Sequence, residues 1–172
     1  PPIFDGGSEA KFVVETLIGY GNQYPHWVFL KGNHEDMLLD AVRYNSRRYR
    51  SFYQWWNQGG AETAMSYGSV DDIPNNHLDW MESLTTLYET DCYYFVHAGL
   101  RERPHETSEF DRLWIRDEFI NNPNSWDKMV IFGHTYHKEP WVQYNKLGID
   151  TMHHGGGVLS AVLLSETCGK DQ

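Results

Sequence analysis

The sequence predicts an α/β fold, and three observations support that class. Apolar runs at residues 27–30, 92–96 and 129–132 are too short for helices and are typical of buried strands. Amphipathic helical patterns dominate the first half of the chain, whereas most of the short apolar runs lie in the second half. The first run leads directly into a helical pattern, which is the order expected of an α/β protein.

The chain starts with a predicted helix followed by a strand. Ser8 is predicted to cap a helix whose apolar face includes Phe12, and a glycine-rich stretch at residues 19–22 is predicted to end it. The apolar run 27–30 is then predicted to form a buried strand. Gly32 allows a sharp turn directly after this run, because a residue without a Cβ atom avoids a steric clash.

The stretch of about residues 36–88 is predominantly helical and aromatic. Helical segments are predicted around residues 52–56, up to Gly68 and from Pro74 onward. We interpret this stretch as a helical insertion between two strands, because neither repeats nor low-complexity tracts set it apart. Residues 1–172 are therefore predicted to form a single domain.

The second half of the chain consists mainly of short strands. The runs 92–96 and 129–132 are predicted to be buried strands, and each ends in a glycine-flanked histidine. Two more strands are predicted at residues 147–151 and 158–164, with a triple-glycine turn between them.

Composition excludes several classes of partner. The 24 acidic and 14 basic residues give a formal net charge of −10, which argues against an extended nucleic-acid interface, because phosphates are neutralised by lysine and arginine. No apolar run reaches the roughly 18 residues of a membrane span. The two cysteines are too few for a disulfide framework, which predicts reduced thiols and a cytoplasmic protein without membrane partners.

Polar residues follow three of the predicted strands. Asn33 and His34 come after the first, His97 after the second and His134 after the third. If these strands lie side by side, their ends converge at one edge of the sheet. Imidazoles and amide oxygens are ligands for Mn²⁺, Fe²⁺ or Zn²⁺, so the pattern favours a metal site over the alternative of hydrogen-bonded loop histidines.

The ordered set of motifs resembles the calcineurin-like metallophosphoesterases, and most closely their bacterial phosphoprotein phosphatase branch. Three motifs carry the resemblance: Gly32-Asn33-His34-Glu35, Val96-His97-Ala98-Gly99 and Phe132-Gly133-His134-Thr135. Four further segments are similar to that family: Gln58-Gly59-Gly60, Ser66-Tyr67-Gly68, Leu113-Trp114-Ile115-Arg116 and Gly148-Ile149-Asp150-Thr151.

The resemblance implies specific roles for these residues. Asn33, His97 and His134 match ligands of one of two divalent metal ions, most simply Mn²⁺, with Fe or Zn as alternatives. His34 matches the residue that protonates the leaving alkoxide, and Arg116 matches an arginine that binds the substrate phosphate. The implied fold is a four-layer α/β/β/α sandwich of two mixed β-sheets. Two cations then activate water for in-line attack on a phosphate monoester.

The sequence departs from the family pattern near its start. The family's Asp-x-His motif is not present, and its Gly-Asp-x-x-Asp-Arg-Gly motif is represented only by Asp5-Gly6-Gly7. In that alignment Asp5 orients His34, although a plain turn residue is an equal alternative. Pro2 then stands where the family has its bridging aspartate. The N-terminal part of the family domain is therefore expected to be missing from this chain, and one of the two metal sites is visible.

Three functions are consistent with the sequence. The first is a metal-dependent phosphatase that acts on phosphoproteins or small phosphomonoesters. The second is a dinucleoside polyphosphate hydrolase of the same superfamily, in which Trp55, Trp56 or Tyr67 stacks on a base, whereas core packing is the alternative role of these rings. The third is a catalytically silent binding domain that keeps the fold.

Overall fold

A computed structural model describes residues 9–43, 49–152, 156–165 and 167–168. The chain divides between Thr85 and Thr86 into two compact units, which we call the helical unit (residues 2–85) and the sheet unit (residues 86–172). The described secondary structure is mixed α/β, as the sequence predicts. The prediction of a single domain over residues 1–172 stays a prediction.

The described part of the helical unit contains α-helices at the predicted places. They are α1 (Ala10–Gln23), α2 (Asn33–Val42), α3 (Tyr49–Trp55), α4 (Ala61–Tyr67) and α5 (Asn75–Ser83). The predicted end of α1 at residues 19–22 is wrong, because the helix continues to Gln23. Tertiary packing outweighs the low helix propensity of Gly19 and Gly21, since Ala10 and Val14 of this helix are buried.

A short π-helical turn at Trp56–Gly60 connects α3 to α4 and explains two adjacent glycines. Gly59 adopts a φ of 104°, a left-handed conformation that residues with a Cβ atom rarely take. A Cβ atom on Gly60 would overlap the Trp55 ring, which lies buried in the core of this unit. Trp55 and Tyr67 are core residues, as their alternative interpretation predicts, whereas Trp56 is exposed.

The predicted strand at residues 27–30 does not form. Only Leu30 makes a β-bridge, to Thr85, supported by a 2.8 Å hydrogen bond from the amide of Lys31 to the carbonyl of Thr85. The segment is extended, and Trp27 and Val28 are exposed. A strand requires a neighbour over several residues, and the described part of the helical unit offers one bridging residue.

The described part of the sheet unit forms a five-stranded mixed sheet in the order β1-β2-β3-β5-β4. The strands are β1 (Leu87–Glu89), β2 (Tyr93–Val96), β3 (Met129–Phe132), β4 (Trp141–Gln143) and β5 (Lys146–Gly148). The central strands β2, β3 and β5 are parallel, and β1 and β4 are antiparallel edges. The helical insertion therefore ends before residue 88, because β1 already occupies residues 87–89.

Two of the strand predictions in this unit need correction. The strand predicted at residues 147–151 is β5, which starts one residue earlier and ends at Gly148. The strand predicted at residues 158–164 is absent, and this segment has no regular secondary structure. Its apolar residues, including Leu159 and Leu163, are exposed, because β4 and not this segment pairs with β5.

One face of the sheet packs against the short helix α7 (Asp117–Ile120), which follows another short helix, α6 (Glu109–Trp114). Tyr94, Val96, Val130 and Phe132 contribute to this core together with Phe119 of α7. The alternation along β2 and β3 sends every second side chain into the core, which is the pattern expected of a sheet face.

The two cysteines, Cys92 and Cys168, are joined in a disulfide across 76 positions of sequence. The prediction of reduced thiols is therefore wrong for this structure, because the fold of the sheet unit brings together residues that are remote in sequence. Among the described residues, no helix has the length and apolar character needed to cross a bilayer.

Candidate functional site

The candidate site lies at the carboxyl edge of the sheet. Since β2, β3 and β5 are parallel neighbours, the residues that follow them emerge at the same edge. His97 follows β2, His134 follows β3 and Asp150 follows β5, and all three are buried. The sequence prediction that strand ends bring His97 and His134 together is confirmed.

The two imidazoles are in direct contact. Nε2 of His97 lies 3.2 Å from Nδ1 of His134, and the ring centroids are 5.0 Å apart. The backbone joins the same two turns, because the amide of Gly133 donates to the carbonyl of His97 at 2.8 Å. The sheet thus fixes both the positions of the turns and the approach of the rings.

His134 has an unusual backbone conformation. Its φ is 62°, in the left-handed region that non-glycine residues adopt at a cost and often at functional sites. The guanidinium of Arg116 donates from Nη1 to the carbonyl oxygen of His134 at 2.7 Å. Arg116 therefore supports the turn that aims the His134 ring, and the predicted phosphate-binding arginine lies beside a predicted metal ligand.

Trp114 approaches the same histidine from the end of α6. Its ring centroid is 5.9 Å from that of His134, with the two planes at 83°. Ser108 caps α6 by accepting a 3.1 Å hydrogen bond from the amide of Asp111, and Leu113 anchors the helix in the core. The position of Trp114 is therefore set by a capped and anchored helix.

Asp150 is a candidate that the sequence analysis includes only within a motif. Its Oδ1 accepts a hydrogen bond from the amide of Met152 at 3.0 Å, and its carbonyl accepts one from the amide of His137 at 2.9 Å. The signal that identifies it is an acidic residue directly after a third parallel strand. Sequence reasoning could not use this signal, because the strand order is set by tertiary pairing.

His137 lies next to this edge but has a different environment. Its ring stacks on Trp141 with centroids 4.9 Å apart and packs against Gly148. Burial lowers the pKa of His137 below its ordinary value, and the nearby Asp150 opposes this effect only partly. A neutral imidazole with an aromatic partner indicates a packing role for His137.

In the helical unit, Asn33 and His34 begin α2. Gly32 is the N-cap residue, Asn33 is buried and His34 is half-buried. The carboxylate of Glu35 accepts a hydrogen bond from the amide of Gly32 at 2.5 Å. Glu35 and Asp36 lie in the first turn of this helix, where the helix dipole favours negative charge.

The described residues thus bring together part of the predicted site. His97, His134 and Arg116 form one cluster in the sheet unit, and Asn33 and His34 are adjacent in the helical unit. Asp5 lies outside the described residues. Within the ranges that the structure describes, no group of three or more histidine, cysteine, aspartate or glutamate side chains could hold a metal ion.

Comparison with models of protein families and with curated proteins found no match for this chain.

Proposed function

We propose that this chain is a metal-dependent phosphoric monoester hydrolase of the phosphoprotein phosphatase type. One observation carries the proposal: two imidazoles are in contact at the carboxyl ends of the parallel central strands, and an arginine donates a hydrogen bond to one of these two turns. Imidazoles are ligands for transition metals, and a guanidinium is suited to phosphate. The order of the sequence motifs supports the same function.

The distance between the two imidazole nitrogens fits a shared metal ion. Two nitrogen ligands at about 2.0–2.1 Å from a tetrahedral zinc ion lie about 3.3 Å apart. Nε2 of His97 and Nδ1 of His134 are 3.2 Å apart. We propose these atoms as ligands of one divalent cation, with Mn²⁺ as the first ion to test. The role of Asn33 as a further ligand stays a prediction of the sequence resemblance.

The residues of the chain take distinct roles in this proposal. Arg116 uses one N–H on the carbonyl of His134, which leaves further donors of its fork-shaped group for phosphate oxygens. In this proposal His34 delivers a proton to the leaving alkoxide, as the sequence resemblance implies. A bound divalent cation supplies charge stabilisation and a lowered pKa of attacking water. A four-layer sandwich with two metal ions is part of the same proposal.

The proposal is tested with p-nitrophenyl phosphate and Mn²⁺, combined with elemental analysis. We expect His34→Ala to reduce kcat by about 10²-fold or more while the metal content is unchanged, because general acid catalysis is lost. His97→Ala and His134→Ala should lose both metal and turnover. His105→Ala, which removes an exposed histidine of the sheet unit, is the matched control.

Three results would contradict the proposal. Turnover that survives in both His97→Ala and His134→Ala would show that these imidazoles do not serve the reaction. A protein that binds metal but hydrolyses neither p-nitrophenyl phosphate nor a phosphopeptide would favour a silent binding domain. Selective hydrolysis of a dinucleoside polyphosphate would favour the alternative hydrolase of the same superfamily.

A further inference from the structure

Helix α6 carries two aromatic side chains, Phe110 and Trp114, and Trp114 contacts the candidate site. Phe110 and Trp114 are four residues apart, so they lie on the same side of the helix. Their rings are nearly parallel, with planes at 21° and centroids 6.3 Å apart. Phe110 is 69% exposed, so most of this ring is open to solvent.

The inner ring of this pair contacts the candidate site itself. Trp114 meets His134 edge to face at 5.9 Å, and Arg116, two residues later in the chain, donates to the carbonyl of the same histidine. The exposed Arg116 and the exposed ring of Phe110 therefore belong to one chain of contacts. Arg116 contacts His134, His134 contacts Trp114, and Trp114 contacts Phe110. All of these residues belong to the sheet unit.

We propose that Phe110 and Trp114 form a binding surface for the aromatic group of an aryl phosphomonoester. The anionic phosphate would be held at Arg116, next to the imidazole pair, and the aryl ring would pack on the two aromatic side chains. A substrate with both an anionic and an aromatic end matches the two kinds of group that the site presents. This assignment of substrate class rests on the proposed phosphatase function.

The helix that presents these rings is held in place before any ligand binds. Asp111 on α6 accepts two hydrogen bonds from the guanidinium of Arg101, at 2.8 and 3.1 Å, and Arg101 lowers the pKa of that carboxyl group. The amide of Ala98, next to His97, donates to the carbonyl of Arg112 on the same helix at 2.8 Å. Such preorganisation reduces the entropy lost on binding.

The test compares two non-hydrolysable phosphonates by isothermal titration calorimetry, with Mn²⁺ present. Phenylphosphonate and methylphosphonate share the anionic group and differ in the ring. We expect phenylphosphonate to bind about tenfold more tightly, the size expected of one stacked ring. Phe110→Ala should reduce this preference by about three- to tenfold. Phe110→Leu keeps apolar bulk without an aromatic face, so its preference for phenylphosphonate should lie between that of the parent protein and that of Phe110→Ala.

Phe12→Ala is the matched control, because it removes a similarly exposed phenylalanine from the helical unit. Its preference for phenylphosphonate should equal that of the parent protein. Equal affinities for the two phosphonates in the parent, or a preference unchanged by Phe110→Ala, would overturn the ring-binding surface while leaving the phosphatase proposal intact. If neither phosphonate nor inorganic phosphate binds, the phosphatase proposal and the assignment of substrate class are both wrong.

Discussion

Each unit contains a fully buried charged side chain at the end of a helix, and the two charges have opposite sign. In the helical unit, Glu35 is fully buried in the first turn of α2 and accepts from the amide of Gly32. In the sheet unit, Lys146 of β5 is fully buried at the carboxyl end of α7. Each charge is matched to the helix dipole, which is positive at the amino end and negative at the carboxyl end.

The surroundings of Lys146 satisfy its charge from several directions. The ammonium of Lys146 donates three hydrogen bonds, to the carbonyls of Phe119, Ile120 and Asn122 at 2.9, 2.7 and 2.9 Å. Four aromatic rings lie within 5.2–5.8 Å of Nζ: those of Phe119, Trp126, Trp141 and Tyr144. Burial lowers the pKa of Lys146, whereas carbonyls and ring faces favour its charged form.

The comparison indicates what each charge does. Glu35 is part of a helix cap beside Asn33 and His34, so it helps to define the turn that presents them. Lys146 ties a strand to the end of a helix and fills the core between them. The charge in the helical unit is therefore expected to act locally, and the charge in the sheet unit to support the whole packing of its unit.

Lys146→Met gives the largest expected effect. The variant keeps most of the apolar side chain but removes the donor for three carbonyl oxygens, so we expect a loss of about 3–5 kcal/mol in the free energy of unfolding. Urea denaturation measures this loss. Lys128→Met removes a partly exposed lysine that pairs with Glu89, and it should lose at most about 1 kcal/mol. Equal losses in the two variants would remove the special role of Lys146.

Glu35→Gln should have a smaller effect. The amide side chain still offers an acceptor to Gly32, but the negative charge at the amino end of α2 is gone, so we expect a loss of about 1 kcal/mol. The same urea titration measures it. Asp36→Asn changes the half-buried neighbour in the same turn and should lose less than Glu35→Gln. A loss in Glu35→Gln as large as that in Lys146→Met would contradict the conclusion that the charge of Glu35 acts only locally.

The smallest expected effect is a pH dependence that both units share. Burial is the main cause that lowers the pKa of His77, and Glu15 on α1 opposes it, while Lys11 on the same helix adds to it. His77 shares a 3.0 Å hydrogen bond with the hydroxyl of Tyr67, whose pKa is raised by burial. His137 shows the same lowering in the sheet unit.

The sign of the effect follows from these directions. The unfolded chain binds a proton near the ordinary pKa of 6.5, whereas the folded chain binds it at lower pH. Stability is therefore complete above about pH 6.5 and falls as the pH drops below that value. His77→Gln and His137→Gln should each flatten the decrease between pH 7.5 and 5, measured by urea denaturation.

The sequence predicted several of the elements that position the candidate site. The apolar runs before His97 and His134 predict strands β2 and β3, and the residues after them meet at one edge as expected. A helical pattern that follows the first apolar run is also predicted, and α2 forms there, starting at Asn33. These features depend on local periodicity and turn chemistry, which a short stretch of sequence contains in full.

Other features depend on pairing between residues that are far apart in sequence. The apolar runs at 27–30 and 158–164 have the composition of strands but lack a partner over their length, whereas the polar-flanked residues 141–143 and 146–148 pair and form β4 and β5. The disulfide between Cys92 and Cys168 has the same origin.

The sequence by itself determined that helices dominate the first half of the chain, that strands β2 and β3 form, and which histidines follow those two strands. Only the tertiary structure decided the left-handed turn at His134, the contact of Arg116 with it, and the burial of Lys146. The physical reason is that periodicity and capping act over a few neighbouring residues. Strand order, side-chain contact and the burial of a charge depend on which remote segments pack together.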